Sequence, residues 1–233
     1  MTGIGQKFYQ STKYHGQRRP DTATAPAELK TISLPAAVGP ADKSFAELLA
    51  ARRSRRKFAG EGISLEHLAY LLWASDGVSA PDKPTIFHTA PSAGARHPIV
   101  TYVVANRVDG IESGVYRYDA EGHSLRMLRE GDFEKEAARA AADQDWMVGS
   151  AVVFVWTAVF ERTTSKYKDR GYRYVFLDAG HICQNLYLAC ESLGLGMTSI
   201  AALVDDDVNS IVGADGVDES VVYMAALGRP ADK

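Results

Sequence analysis

Three stretches of this chain hold groups able to meet an anion or a flat ring, and a fourth holds a pair able to move a proton. Arg52-Arg53-Ser54-Arg55-Arg56 sets four guanidiniums around one hydroxyl. Guanidinium forks match phosphate oxygens bidentately and a serine adds a donor, so the stretch suits one terminal phosphate; the alternative is a solvated basic turn. Pro91-Ser92-Ala93-Gly94-Ala95-Arg96-His97-Pro98 places small residues between two prolines. Small side chains let main-chain N–H groups approach a flat or anionic ligand, although the composition also fits an ordinary loop. Met197 to Leu203 repeats the small-residue pattern and can offer main-chain donors to a planar ring. Lys166-Tyr167 sits among Arg162, Lys168, Arg170 and Arg173. A Lys beside a Tyr in a cationic setting suits acid–base work, the alternative being surface residues of a strand-to-helix loop.

The element that must position these stretches is one long helix leading to Leu193. Val175, Ala179, Ile182, Leu186, Ala189 and Leu193 recur at helical spacing, and Phe176, Cys183, Tyr187 and Cys190 widen the stripe most of the way round. So apolar a helix belongs in the middle of a domain, capped by Gly194 and Gly196. Asp178, His181 and Asn185 run along its remaining edge beside Gln184. Buried polar groups are costly unless paired, so this edge must meet a partner chain, a ligand or an internal network.

Around it, a capping-box pattern at Ser44–Glu47 opens a short helix, and Ser64 opens a second through Leu65, Leu68, Leu71 and Leu72 that ends at Asp76-Gly77. Residues 132–143 read as a surface helix and 205–212 as another, closed by Gly213. Strands are expected at 99–105, 114–118, 125–128, 197–201 and 221–227. The run 151–160, rich in Val and aromatics, reads as a strand packed on both faces. Helices and strands mix without strict alternation and several strands are joined by short turns, which predicts an α+β fold on a mostly antiparallel sheet. Residues 1–43, polar and studded with Pro20, Pro26, Pro35 and Pro40, read as an arm over a domain at 44–233.

Composition excludes several classes. The net charge of −3 provides no global basic field for nucleic acid or anionic membrane, so the basic clusters serve local purposes. The longest apolar run, ten residues at 151–160, is too short for a transmembrane helix, and the N-terminus lacks the apolar core of a signal peptide. Cys183 and Cys190, seven helical residues and about 10 Å apart, are too far for a disulfide and read as thiols of a reducing compartment, so a cytoplasmic protein is expected. Gly194-Leu-Gly196 follows a helix instead of opening one, which argues against a dinucleotide fingerprint. Neither a phosphate-binding Walker loop nor a Gly-x-Ser-x-Gly elbow occurs. No metal is expected, since His67, His88, His97, His123 and His181 show no ligand spacing, and most of them read as surface or capping residues.

In order, R-R-S-R-R-K-F, P-S-A-G-A-R-H-P, K-Y-x-x-R-G-Y-R-Y, D-A-G-H-x-x-Q-N-L-Y-L and L-G-L-G resemble the FMN-dependent nitroreductase superfamily over roughly residues 44–230. Within it they look most like the SagB-type dehydrogenases, the azoline oxidases of peptide-modifying pathways. The resemblance implies a nitroreductase-like FMN fold and a homodimer with flavin at the subunit interface. It implies that Arg52, Arg53, Ser54 and Arg56 hold the FMN phosphate and ribityl chain. It also implies that Ser92, Ala93 and Gly94 reach the flavin across the interface, and that Ser199, Ile200 and Ala201 lie along the isoalloxazine. Lys166 and Tyr167 are the implied catalytic pair. The implied reaction oxidises thiazoline or oxazoline rings to azoles by hydride transfer to flavin N5. A peptide substrate or a cyclodehydratase partner is implied alongside it. Two other readings fit the same motifs: an NAD(P)H-dependent nitro or quinone reductase, and a flavin-binding subunit of a modification complex.

Overall fold

The computed structural model describes residues 3–14, 30–80 and 86–231, so Pro20, Pro26 and much of the expected arm lie outside the described residues. Its centre is an antiparallel seven-stranded sheet. The strands are β1 (Thr31–Ser33), β4 (Ile99–Ala105), β5 (Gly114–Asp119), β6 (Ser124–Glu130), β7 (Val152–Val159), β8 (Gly196–Ile200) and β9 (Glu219–Gly228), in the order β1-β6-β5-β4-β7-β9-β8. A small hairpin, β2 (Val78–Ala80) with β3 (Phe87–His88), stands apart from it.

The middle strand explains the layering. Seven of the eight residues of β7 are buried, and its alternate side chains enter two separate apolar clusters. Phe154, Trp156 and Ala158 pack on one face; Val153 and Val155 pack on the other. On the first face lie α3 (Leu65–Asp76) and the 22-residue α6 (Gly171–Ser192), which packs against it. On the second lie α4 (Glu134–Ala140) and α7 (Asp205–Val212). The helix expected at 132–143 is two-faced: Phe133, Ala137, Ala138 and Ala141 are core, while Lys135 and Arg139 stay exposed. Glu134 at its start is buried yet paired with Arg107 at 2.7 Å, and that guanidinium holds its carboxyl below the usual range.

Local chemistry sets the helix ends. Ser44 and Glu47 form the reciprocal capping box ahead of α2 (Phe45–Ala51), and Ser64 caps α3 by accepting the His67 N–H. Gly194 takes φ +69 just past α6, and Gly213 takes φ +77 past α7. Two helices escaped the sequence reading. The first, α1 (Ile4–Ser11), lies on α6 and sends Tyr9 into the core, where its hydroxyl donates to Ser220 Oγ at 2.7 Å. The second, α5 (Glu161–Tyr167), replaces the loop expected before α6. Among the described residues no helix is long and apolar enough to cross a membrane.

Candidate active site

The candidate residues gather in two groups, and α6 links them. The first group is a knot of hydroxyls. Ser54 Oγ lies 3.0 Å from Tyr187 Oη, the Ser199 N–H donates to that same oxygen at 2.9 Å, and Tyr223 donates to Ser199 Oγ at 2.9 Å. The arrangement follows from strand pairing: the main chain at Ser54 bridges Met197 on β8, which draws the Arg/Ser stretch onto the end of the sheet. Arg52 stands over the Tyr187 ring at 5.3 Å, a cation–π contact that aims the guanidinium into the group.

The other arginines diverge. Arg53 folds back to donate to the carbonyls of Ala50 and Arg52, and Arg56 lies over Trp146 at 5.8 Å. Arg55 pairs with Glu191 at 2.6 Å. Ile200 points its side chain into the second core, leaving only its main chain for a ligand, whereas Ala201 is exposed. Cys183 is inert here, because burial pushes its thiol up to about 12.

The second group is the Pro91–Pro98 loop and the Lys–Tyr pair. Asp178 on α6 accepts the Ser92 hydroxyl at 2.7 Å and the Ala93 N–H at 3.3 Å, while Ser92 Oγ accepts the His97 N–H at 2.9 Å. Burial pushes the Asp178 carboxyl above the usual range, and these two donors oppose the shift. The clamp holds a strained backbone: Gly94, Ala95 and His97 have φ of +63, +53 and +41. Strain of that kind persists only where the surroundings over-determine it, and such places cluster at ligand sites. Against Gly94 rest the two candidate catalytic groups, Lys166 Nζ and Tyr167 Oη. A Cβ added there would lie 2.5 Å from Tyr167 Oη and 3.0 Å from Lys166 Nζ.

Gly94→Ala is accordingly expected to displace both side chains and to cost about 1–2 kcal/mol for a left-handed alanine. A fall in melting temperature together with lost turnover, against unchanged values for Gly60→Ala in stability-corrected turnover, is the check. Gly60 also has positive φ but nothing near it.

Sequence reasoning flagged Asp178 and Asn185 as a polar edge, and the structure gives both internal partners, since Asn185 Nδ2 donates to the Thr89 carbonyl at 3.3 Å. His181 and Gln184 of that edge stay exposed. Tyr187 and Tyr223 were missed; inside an apolar helix and strand nothing distinguishes a functional phenol from core. His88 and His97 are half-buried exceptions to the surface or capping reading made for most of the histidines: they stack at 4.1 Å beside Asp76, a meeting that positions so far apart in sequence conceal.

Residues 49–229 match the nitroreductase family. The protein MJ1384 of Methanocaldococcus jannaschii, named as a nitroreductase, is 39% identical over 183 residues, which span 78% of this chain and 89% of that protein. The trifolitoxin-processing protein TfxB of Rhizobium leguminosarum bv. trifolii is 34% identical over 144 residues, 60% of this chain but 39% of that protein. The structure of the E. coli microcin synthetase McbBCD complex with truncated pro-MccB17 bound is similar in fold. Its TM-score is 0.68 at 18% identity, over 99% of this chain and 83% of that one. The chain belongs to the nitroreductase family and is an oxidoreductase.

Proposed function

We propose that this oxidoreductase uses FMN to oxidise azoline rings in a modified peptide, and that it works as a homodimer. The observation that carries the reading is the packing of Lys166 Nζ and Tyr167 Oη on Gly94 of the small-residue loop. It places two proton-accepting groups beside main chain that a flat ligand can approach. TfxB, a toxin-processing relative, supports the same direction.

The residues present fit FMN. The first group offers one guanidinium and a set of hydroxyls, enough for one phosphate and a polyol chain, and the sequence has no dinucleotide fingerprint for a second half. Arg52, Ser54 and Ser199 would hold the cofactor from one side and Ser92, Ala93 and Gly94 from the other. When bound, FMN supplies the two-electron acceptor. The chain's own part is positioning and proton removal: Lys166 or Tyr167 would take the proton from one saturated ring carbon while the adjacent ring carbon gives up a hydride, so that a double bond forms between the two.

Two copies are needed for this assembly. Asp178, which clamps the loop, and Tyr187, which gathers the hydroxyls, are nine residues apart on α6. At about 100° and 1.5 Å per residue they face opposite sides of the helix, about 13 Å apart along it. One chain therefore turns its two groups away from each other, and a two-fold pairing brings the loop of one chain to the hydroxyls of the other. An exposed stripe is available for that pairing: Leu177 is 59% exposed and Phe176 38%, and Gly180 next to them has nothing within 4 Å of an added Cβ. Phe8 and Ile4 of α1 extend the apolar patch.

The domain is read as residues 44–233 with an arm at 1–43. The buried free thiols Cys183 and Cys190 agree with a reducing, cytoplasmic setting.

The purified protein is expected to be yellow, to release FMN and not FAD on denaturation, and to scatter light as twice the 25.3 kDa chain. An azoline-containing peptide should bleach the flavin under anaerobic conditions. Bleaching by NAD(P)H and not by such a peptide selects the nitro or quinone reductase reading, which the name of MJ1384 favours. A flavin-bearing monomer removes the interface argument.

A further inference from the structure

We infer that Asp76, His88 and His97 form a binding site for a borderline divalent cation of the zinc class. Asp76 ends α3, His88 lies on β3 and His97 closes the strained loop, and one ligating atom of each lies within 4.8 Å of the other two. Asp76 is 8% exposed, and its Oδ1 has no hydrogen-bond partner. His88 Nδ1 stands 3.3 Å from that oxygen and 2.9 Å from the Asp76 main-chain carbonyl; to ligate an ion it would take the Nε2–H tautomer and release the carbonyl contact. A buried carboxylate oxygen left so is costly, and a cation would satisfy it.

The geometry suits such an ion. Two ligands at about 2.0–2.1 Å from a tetrahedral metal stand about 3.3–3.4 Å apart, the separation found between Asp76 Oδ1 and His88 Nδ1. The His97 ring lies on that of His88 with 23° between the planes, and His97 itself has a left-handed φ of +41. Closing from within 4.8 Å to that edge length takes rotation of one imidazole. Two imidazoles and one carboxylate are a ligand set for zinc or ferrous iron, with positions left for water.

Neighbouring charges are mixed. Asp178 is close enough to act on Asp76, and Arg162 donates to the His97 carbonyl at 3.0 Å. The bound ion would staple the end of α3 and the hairpin to the loop that carries Ser92–Gly94, and so fix the surface on which Lys166 and Tyr167 rest. The inference does not depend on which substrate the enzyme oxidises.

The test uses the purified full-length flavoprotein, dialysed against a chelator and then equilibrated with Zn(II), with bound metal counted by elemental analysis. About one zinc per chain is expected, without competition from Mg(II), which seeks hard oxygen ligands. Asp76→Asn, His88→Gln and His97→Gln should each weaken binding at least about tenfold, while His181→Gln leaves it unchanged. On the wild-type protein alone, Zn(II) should raise the melting temperature and chelator should reverse the rise, a readout that survives if a variant fails to fold. No saturable zinc binding to the wild type, or binding that all three variants retain, overturns the proposal.

Discussion

Lys166→Ala and Tyr167→Phe are expected to slow azoline-dependent flavin reduction by about 10²–10⁴, the usual worth of a general base, while the flavin spectrum stays that of the wild type. The structure separates these two effects. Lys166 and Tyr167 occupy the last turn of α5, which breaks at Lys168, a non-glycine residue at φ +52. Tyr167 is braced edge-on against Tyr174 at 5.0 Å, Lys166 Nζ lies 5.2 Å from the Tyr167 ring, and both groups rest on Gly94. Neither joins the hydroxyl knot around Tyr187, so removing them leaves the groups proposed to hold the phosphate untouched. Reduction of a nitro compound or quinone needs no C–H deprotonation and should be nearly spared. Stopped-flow traces of the two half-reactions, recorded for each variant, make the comparison. If both half-reactions slow equally, or neither does, the pair has no proton to take and the azoline reading loses its local support.

How much of this arrangement could be read in advance depended on the range of the interaction. Periodicity and caps are local, so α6 and the strands β4, β5, β7 and β9 stand close to where their residues put them. The Val-rich run of β7 also correctly announced a strand buried on both faces. What failed was what depends on a distant partner. Helix α5 has no apolar stripe of its own; buried Thr163 and the turn into α6 hold it, and nothing in its composition opposes a loop. In helix α4 the exposed Lys135 and Arg139 were legible as a surface face, whereas the neutralisation of buried Glu134 by Arg107 was not.

The site divides the same way. Arg52, Ser54 and Ser92 to Gly94 stood out by residue type. The side chains that hold them, Asp178 and Tyr187, sit on one helix whose two faces only the folded chain reveals. The stacking of His88 on His97 beside Asp76 likewise comes from three separate elements meeting, which spacing cannot announce.

Arg52→Ala is expected to lower FMN affinity by about tenfold to a hundredfold, and Arg53→Ala to leave it nearly unchanged. A charge-assisted hydrogen bond is worth about 1.5–3 kcal/mol, and about 1.4 kcal/mol is a factor of ten. Residue type alone gives the arginines of the stretch equal claims, but their surroundings do not. Arg52 is held over the Tyr187 ring beside Ser54 and Ser199, so its ordering cost is met before a phosphate arrives. Arg53 already donates to two carbonyls of its own helix, and Arg55 is neutralised by Glu191. Arg56, over Trp146, should fall between Arg52 and Arg53. Tyr187→Phe separates the ring's role from that of the hydroxyl. It keeps the face under Arg52 but removes the oxygen that joins Ser54 to the Ser199 N–H, so its loss in affinity should be smaller than that of Arg52→Ala. Titration of the flavin-free protein with FMN, followed by fluorescence quenching and repeated as salt is raised, ranks the four variants. Equal losses for Arg52→Ala and Arg53→Ala would mean that the stretch acts as a diffuse basic patch. The ordered ranking, with the salt dependence weakened most in Arg52→Ala, would instead identify Arg52 as the residue that meets the phosphate.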